Sequence, residues 1–362
     1  MSLETASTQP IGPNAFGHLI QSSGPASDAV WLDLYQSDRT TLVSQSHQWA
    51  QAVTASGNYR CSPQYFHFAD GAQAVLPLFT KGVASLRYAW SPPPAWGFGG
   101  LLSDQGISPD KLRCVLAHLE TLPYVGLKIR PNPLLANIWA EAVRPGWATI
   151  PRLAHVVDLA GGMEAVRARF RSNAGTNIRR AQKCGVEVEA GNSARLIDEF
   201  HSLLELSLLR WARKQHEPAV LARFRGLRRD PRSKFAEMAS HLGEAFRLYV
   251  ARINGRPVAA ILVLMHHQAH YTRGAIDEEI AGESRATYLL QARAIEDACR
   301  LGSTHYHMGE TGNSASLAQF KSRFGAVAIP YAEYRYERLP LASLDSFARS
   351  TVKRVVGFRD AS

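Results

Sequence analysis

The spacing of hydrophobic and polar residues predicts alternating strands and helices in the first half of the chain. Residues 31–35 alternate apolar and polar positions as a strand does, and residues 44–56 are typical of a helix. Two apolar runs then flank Asp70–Gly71, a dipeptide typical of a tight hairpin turn. Residues 109–122 predict another helix and residues 124–131 another strand. We therefore expect an α/β unit that contains a hairpin.

The same order of elements begins again in the second half. Asn254–Gly255 lies between two apolar runs, as Asp70–Gly71 does, and indicates a second hairpin. Gly185, Gly302 and Gly325 each follow a helical stretch and are natural helix stops. The predicted strands are residues 155–159, 246–253, 257–267, 270–276, 304–308 and 327–337, and the predicted helices are residues 163–171, 173–184, 193–214, 233–242, 284–301 and 316–324.

Three segments lie outside this pattern. Residues 1–27 are rich in Ser, Pro and Gly and predict a loosely held leader. Residues 91–100, SPPPAWGFGG, contain prolines that lack amide donors, so they predict a shaped loop. This loop is either a substrate-facing rim that carries Trp96 or a rigid connector. Residues 341–362 predict a helical tail, in which residues 341–358 combine apolar with basic positions.

Length and composition narrow the class of protein. A chain of 362 residues is longer than one hydrophobic core usually absorbs, so two units of roughly 150 residues are expected. Hydrophobic residues at 46% and charged residues at 20% are proportions of a packed globular protein, which excludes a wholly disordered or collagen-like chain. The scattered cysteines form no C-x-x-C pair, which argues against a disulfide scaffold and a thiolate zinc site.

Membrane and export signals are missing from the sequence. The best apolar stretch, residues 258–265, has the length of a strand and falls short of the roughly 18 residues that a membrane helix needs. The N-terminal residues have neither the basic region nor the apolar region of a secretory signal. We therefore expect a cytoplasmic protein without integral membrane association.

Positive charge is concentrated in the second half of the chain. Of the formal net charge of +10, residues 1–155 contribute only +1, from 10 Lys/Arg and 9 Asp/Glu. Residues 164–234 alone hold 16 basic and 8 acidic residues. Because arginine binds phosphate oxygens with a planar, bidentate group, this cluster suggests a nucleic acid or a phosphorylated ligand. A solvated, salt-bridged helical surface is the alternative.

Four segments of the second half occur in an order that points to a family. They are FRSNAGTNIRRAQKCGVEV, RLYVARINGRPVAAIL, YLLQARAIEDACRLGSTHYHMGE and LAQFKSRFGA. Over roughly residues 155–337 the chain resembles the FemAB/FemX-type branch of the GNAT acyltransferase superfamily, which includes BioF2-like acetyltransferase domains. The resemblance implies an α/β (mixed α+β) fold of two GNAT-like lobes, each a mixed sheet with flanking helices. We expect these lobes at residues 28–152 and 153–340.

The resemblance also implies a reaction. The best-known members of the family transfer an amino acid from aminoacyl-tRNA to an amine of a peptidoglycan precursor and form an amide bond. We therefore expect an acyltransferase with aminoacyl-tRNA as co-substrate, an amine-bearing small molecule or peptide as acceptor and no further cofactor. Acyl-CoA is the alternative donor, although residues 280–286 hold a single glycine and an acidic Glu283 where GNAT enzymes bind pyrophosphate. A non-catalytic module that binds phosphate or RNA is the alternative from a different class.

Three residues are implied to be catalytic. Lys321 lies in residues 319–325, which match the family's aromatic-lysine-x-x-Phe-Gly motif, and is expected to stabilise the oxyanion of the tetrahedral intermediate. Its alternative is a solvent-facing helix lysine. His307 and Glu310, at the end of the preceding strand, are candidate general bases. Pairs of histidines share strand faces, but no carboxylate completes a ligand set, so no metal site is expected.

Further residues are predicted to bind substrates. Arg210 and Arg213 resemble the Arg-rich segment with which family members hold a phosphate. Phe320 is the aromatic residue of the lysine motif, although its spacing to Phe324 also fits simple packing. The full predicted set is Trp96, Arg210, Arg213, Phe320 and Arg323 for substrate, and Asn177, Arg179, Arg180 and Lys183 for tRNA. The second group forms a helical stripe that is either a tRNA contact or a solvated surface.

Overall fold

The structure is a computed structural model that describes residues 19–83, 86–312 and 314–339. Its elements up to residue 142 are β1 (Ile20–Pro25), α1 (Asp28–Ser37), α2 (His47–Gly57), β2 (Arg60–Cys61), β3 (Gln64–Phe68), β4 (Gln73–Leu76), β5 (Phe79–Lys81), β6 (Tyr88–Ser91), β7 (Leu102–Ser103), α3 (Pro109–Thr121), β8 (Gly126–Ile129) and α4 (Ala136–Ala142). The following elements are β9 (Trp147–Asp158), α5 (Gly162–Ala168), α6 (Ser172–Lys183), β10 (Glu187–Gly191), α7 (Ala194–Lys214), α8 (Ala219–Arg229), α9 (Arg232–Leu242), β11 (Phe246–Ile253), β12 (Arg256–Leu264), β13 (Gln268–Ile276), α10 (Glu278–Ser284), α11 (Ala286–Arg300), β14 (His305–Glu310), α12 (Ala315–Ser322) and β15 (Val327–Glu337).

One large mixed sheet runs through the molecule. Its strand order is β10-β11-β12-β13-β14-β9-β15-β8-β6-β5-β2, and a smaller sheet has the order β1-β3-β4-β7. The long strands β9 and β15 pair with each other over residues 147–156 and 327–336, and β15 also pairs with β8. The predicted mixed α/β architecture is confirmed. The predicted boundary between residues 152 and 153 falls inside β9, so no break in the strand separates the lobes there.

Local sequence signals explain where several helices begin. Ser46, Ser108, Ser193 and Ser314 are the N-caps of α2, α3, α7 and α12, and each side-chain oxygen accepts a hydrogen bond from an amide of the first turn. Such a cap satisfies a backbone donor that would otherwise lack a partner. Both hairpins are also confirmed, since β3 pairs antiparallel with β4 and β11 with β12.

The N-terminal segment differs from its prediction in two ways. The strand expected at residues 31–35 is wrong, because α1 covers this segment and buries Trp31, Leu34 and Tyr35 on one helical face. The cap Ser27, whose oxygen accepts from Val30 N, outweighs the short alternating pattern. The leader is also shorter than expected, since β1 pairs antiparallel with β3.

Two helical segments remain to be compared with the predictions, α8 and the C-terminal tail. Helix α8 was not predicted, although its residues do follow a helical period. The predicted tail at residues 341–362 lies outside the described residues.

A shared hydrophobic core fixes the lobes to each other. Trp49 of α2 and Trp96 of the proline-rich loop belong to the same buried cluster as Phe200, Phe235 and Leu262 of the C-terminal lobe. Burial of each such side chain contributes about 2–3 kcal/mol. Because this core and the large sheet both join the two halves, surfaces from both can form a rigid site.

Candidate active site

A cleft of about 780 Å³ opens between the two lobes. Its floor lies where β13 and β14 separate, since these parallel strands pair only at residues 268–270 and 305–307. Beyond that point residues 271–276 and 308–310 line the cleft instead of bonding to each other. The N-terminal lobe contributes residues 95–98 and the α2 side chain Trp49. This volume suits a ligand of the size of a small substrate.

The lining of the cleft is strongly basic. Its acidic members are Asp230 and Glu310. Its basic members are Arg130, Arg210, Lys214, Arg229, Lys234, Arg273 and Lys321. Because charges of one sign in a low-dielectric cleft attract counter-charges, the cleft favours an anionic ligand.

Lys321 lies at the wall of this cleft. It is 2% exposed, and its Nζ donates to the carbonyls of Gly309 at 3.0 Å and Glu310 at 2.8 Å. The left-handed backbone at Gly309, with φ of 73°, accompanies a shift in the β14–β9 register. Burial lowers the pKa of Lys321 to about 8, against an opposing effect of Glu310. The predicted lysine is therefore a buried cation at the cleft and not a solvent-facing residue.

Glu310 also lines the cleft, at the end of β14. Its Oε1 accepts a short hydrogen bond from the hydroxyl of Tyr331. Burial and the nearby Glu310 raise the pKa of Tyr331 well above its ordinary range, so the phenol stays protonated and donates. This contact holds the carboxylate at the end of β14, and the backbone carbonyl of the same residue accepts from Lys321.

His307 does not line the cleft. Its side chain is fully buried, and its Nε2 lies 2.7 Å from Oε1 of Gln268, which also accepts from Asn132 Nδ2 at 2.9 Å. The carbonyl oxygen can only accept, so His307 Nε2 carries the proton. Burial lowers the pKa of His307 well below its usual value. His307 therefore lies outside the cleft lining, and its role as a general base stays a prediction.

His270 is the histidine that does reach the cleft. It stacks on Phe98 of the proline-rich loop with ring centroids 4.8 Å apart, and it is 5% exposed. Burial lowers the pKa of His270 to about 3, with a further lowering by Arg273 and Lys321. It is thus a neutral part of the wall at physiological pH.

Of three residues predicted to bind substrate, the two aromatic ones line the cleft and Arg323 does not. Trp96 and Phe320 both line the cleft, as expected. Arg323 does not line it, because its guanidinium donates to the hydroxyl of Tyr288 and to Gln319. Arg323 therefore fastens α12 to α11.

The two predicted phosphate-binding arginines are separated. Arg210 lines the cleft and lies 3.5 Å from Glu278, with which it forms an ion pair. Arg213 is exposed and does not line the cleft. Arg213 is turned about 60° from Arg210 around the helix axis, to the side away from Trp211 and Lys214, which line the cleft.

The predicted tRNA stripe lies on α6, away from the cleft lining. Arg179, Arg180 and Lys183 are exposed, and Asn177 donates to the carbonyl of Asn173 within the helix. The stripe is therefore separate from the residues that line the cleft.

A buried charge cluster was missed by the sequence analysis. Asp230 is 1% exposed and accepts from Lys234 Nζ at 2.9 Å and from the Arg273 guanidinium at 3.2 Å. Lys234 and Arg273 also donate to the carbonyl of Ala95, at 3.2 and 2.8 Å. Lys234 Nζ lies 4.1 Å from the ring centroid of Trp96. The cluster therefore holds the proline-rich loop of one lobe against the other.

The charges in this cluster depend on each other. Burial by itself raises the pKa of Asp230, but Arg273, Lys234 and Arg229 hold it well below its usual range. Burial lowers the pKa of Lys234 to about 8, although Asp230 opposes this. The Asp–Lys spacing of four residues is visible in the sequence as a helix pair. Arg273, 43 residues from Asp230, is a partner that no local pattern shows.

Two findings concern metals and membranes. Within the described ranges, no three or more His, Cys, Asp or Glu side chains are grouped so as to hold a metal ion. None of the helices in the described part of the chain is both long and apolar enough to span a bilayer.

Comparison with known proteins identifies the second lobe. Residues 168–322 match the family described as acetyltransferase (GNAT) domain. Over these residues the chain is similar to GNAT acetyltransferase domains. The matched region contains the lysine of the cleft and α7 to α9, and the acyltransferase reaction class expected from the sequence is confirmed.

Solved structures share the fold of the whole chain. The crystal structure of FemX is similar with a TM-score of 0.63 and 14% sequence identity, over 90% of this chain and 99% of the FemX chain. A protein of unknown function from Bacteroides thetaiotaomicron is similar with a TM-score of 0.51 and 13% identity, over 88% of this chain and 99% of that one. No curated protein matches the sequence significantly. The likeness to FemX confirms the fold that the sequence resemblance implied.

Proposed function

We propose that this protein transfers an aminoacyl group from aminoacyl-tRNA to a primary amine of a small molecule or peptide and forms an amide bond. The observation that carries the proposal is the buried cation of Lys321 next to Glu310 in a basic cleft between two lobes. The GNAT domain supports acyl transfer as the reaction class. We also propose that the protein is cytoplasmic, as expected from its sequence.

The proposed reaction uses the side chains of Lys321 and Glu310. The amine nitrogen attacks the ester carbonyl, a C–N bond forms and negative charge develops on the carbonyl oxygen. An ammonium group has three donors, and Lys321 uses two of them on the carbonyls of Gly309 and Glu310. The third remains for the oxyanion. Glu310 accepts the proton of the attacking amine, the ester C–O bond breaks, and the proton passes to the leaving ribose oxygen.

The charge of the cleft supports tRNA as donor. Its Lys and Arg side chains outnumber its carboxylates, and tRNA offers phosphates beyond the volume of the cleft itself. The segment at which GNAT enzymes hold pyrophosphate, residues 280–286, overlaps α10, which begins with Glu278 and Glu279. Carboxylates in the first turn of a helix compete with a bound anion for the amides and the helix dipole. Acyl-CoA is therefore the second candidate donor.

A transfer assay tests the proposal. The protein is incubated with a pool of charged tRNAs carrying labelled amino acids and with a panel of amines, and products are identified by mass spectrometry. We expect an amide product that disappears when the tRNA is digested by ribonuclease before the incubation. A parallel reaction with acetyl-CoA serves as comparison. Transfer that survives ribonuclease treatment, or that occurs only with acetyl-CoA, would contradict the tRNA proposal.

The pH dependence of transfer gives a separate prediction. Because burial lowers the pKa of Lys321 to about 8, its cation is present below that pH and is lost above it. The single-turnover rate is therefore expected to fall as the pH rises through about 8. In the variant Lys321→Arg the guanidinium stays charged, so any remaining activity should lack this decline. An unchanged alkaline decline in that variant would assign it to another group.

A further inference from the structure

The outward side of α8 is an unusual surface. The buried residues of this helix are its smallest, Ala222 and Gly226, which face α7. A Cβ at Gly226 would lie 2.4 Å from Leu208, so the two helices are in close contact there. On the opposite side Val220 is 82% exposed and Phe224 is 63% exposed. Helices that face water normally show the reverse arrangement, with the large apolar residues inside.

Arginines surround these apolar side chains. Leu221, 40% exposed, extends the apolar area, while Arg223 and Arg228 flank it on α8. Arg213, near the end of α7, is exposed as well. We call the set Val220, Leu221, Arg223, Phe224 and Arg228 the α8 surface. Its centre is apolar and its charged members are all positive.

Carboxylates near this surface pair with some of its arginines but not with all of them. Glu205 pairs with Arg223 at 3.2 Å, and the buried Glu217 pairs with Arg225 at 2.7 Å. Arg213 and Arg228 form no ion pair with any residue in the described part of the chain. The surface therefore keeps a positive charge toward solvent.

Charge complementarity selects among the molecules that could cover this surface. A second copy joined through the same face would bring arginines against arginines. Residues 341–358 of the same chain also carry basic groups, including Arg349, Lys353 and Arg354. RNA neutralises arginine but offers no hydrocarbon to Val220 or Leu221. An anionic lipid interface supplies both phosphates and acyl chains.

We propose that the α8 surface docks on an anionic phospholipid bilayer. The helix lies in the plane of the interface with Val220 and Phe224 among the upper acyl carbons. Arg223 and Arg228 extend along the apolar surface, with their guanidinium groups at the lipid phosphates. The neighbouring residues Arg210 and Arg229 line the cleft, so docking brings the cleft mouth to the membrane surface. This surface stands independently of the donor and acceptor proposed above.

Vesicle sedimentation tests the proposal. The full-length protein is mixed with vesicles of phosphatidylcholine alone or of phosphatidylcholine with phosphatidylglycerol, and the bound fraction is measured. We expect binding only to the anionic vesicles, and weaker binding at high salt because the arginine contribution is screened. The double variant Val220→Ser/Phe224→Ser should lower the partition coefficient by at least about tenfold, because two apolar side chains no longer enter the lipid.

A matched control separates this surface from general hydrophobicity. The double variant Leu301→Ser/Val327→Ser changes apolar residues that are 52% and 65% exposed elsewhere, and it should bind vesicles like the wild type. Thermal unfolding confirms that both double variants are folded. The proposal is wrong if the wild type does not bind anionic vesicles, or if both double variants lose vesicle binding equally. It is also wrong if the α8 variant binds tRNA more weakly than the wild type while its vesicle binding is unchanged. That result would assign the surface to RNA.

Discussion

The variant Lys321→Ala is expected to lower kcat/KM for acyl transfer by about 10²–10³-fold. This is the loss measured when one preorganised donor to an oxyanion is removed, equal to about 2.7–4 kcal/mol of transition-state stabilisation. The fall should appear mainly in kcat, because the bound ester has a neutral carbonyl oxygen and negative charge develops on it only as the tetrahedral intermediate forms. The measurement is steady-state kinetics with the donor and acceptor identified by the transfer assay.

Controls for this variant come from the same helix. Ser322 follows the lysine on α12, and its hydroxyl donates to the carbonyl of Gln319 within the helix, so Ser322→Ala should leave the rate nearly unchanged. Lys321→Met keeps much of the buried volume without the charge and should be as inactive as the alanine variant. If the lysine variants lose only donor affinity while kcat stays the same, the oxyanion role is refuted and a binding module is favoured.

The variant Asp230→Ala is expected to reduce the free energy of unfolding by about 3–5 kcal/mol. That range applies when one partner of a buried ion pair is removed and the remaining charge has no compensation. Here Lys234 and Arg273 would both lose their carboxylate inside the wall of the cleft. The Ala95 carbonyl would remain as a partner for each, but it is a dipole and carries no net charge. Urea unfolding at neutral pH measures the change.

An exposed ion pair supplies the comparison for this prediction. Asp198 pairs with Arg232 at the surface, with side chains 55% and 47% exposed, so Asp198→Ala should leave stability almost unchanged. The pH adds a further check, because neighbouring cations hold the pKa of Asp230 below its usual value. Its stabilising contribution is present above the unfolded-state pKa of about 4 and is lost as the pH falls below it. Equal effects of the two alanine variants would contradict the buried cluster.

Elements with long, regular patterns were predictable from the sequence. The two hairpins at Asp70–Gly71 and Asn254–Gly255 formed as expected, because their turns require backbone angles that glycine adopts easily. The helix at residues 31–35 was mistaken for a strand, since five residues are too few to separate the two periods. The cap at Ser27 was the signal that could have corrected it.

The candidate site was only partly predictable. Lys321, Glu310, Phe320 and Trp96 were all expected near substrate, and all of them line the cleft. His307 was an equally reasonable choice by sequence, yet it faces the interior of the protein. A strand alternates its faces every residue, and the sequence does not show which face the helices will cover.

The sequence by itself determined most of the element types, the excess of basic residues and the resemblance to an acyltransferase family, because each depends on local spacing or on residue identity. Only the tertiary structure decided that both lobes share one sheet, that Arg273 joins Asp230 and Lys234, and that α8 turns its large apolar residues outward. These features depend on contacts between segments far apart in the chain. Such contacts are selected by packing and charge in three dimensions, and local sequence patterns contain no record of them.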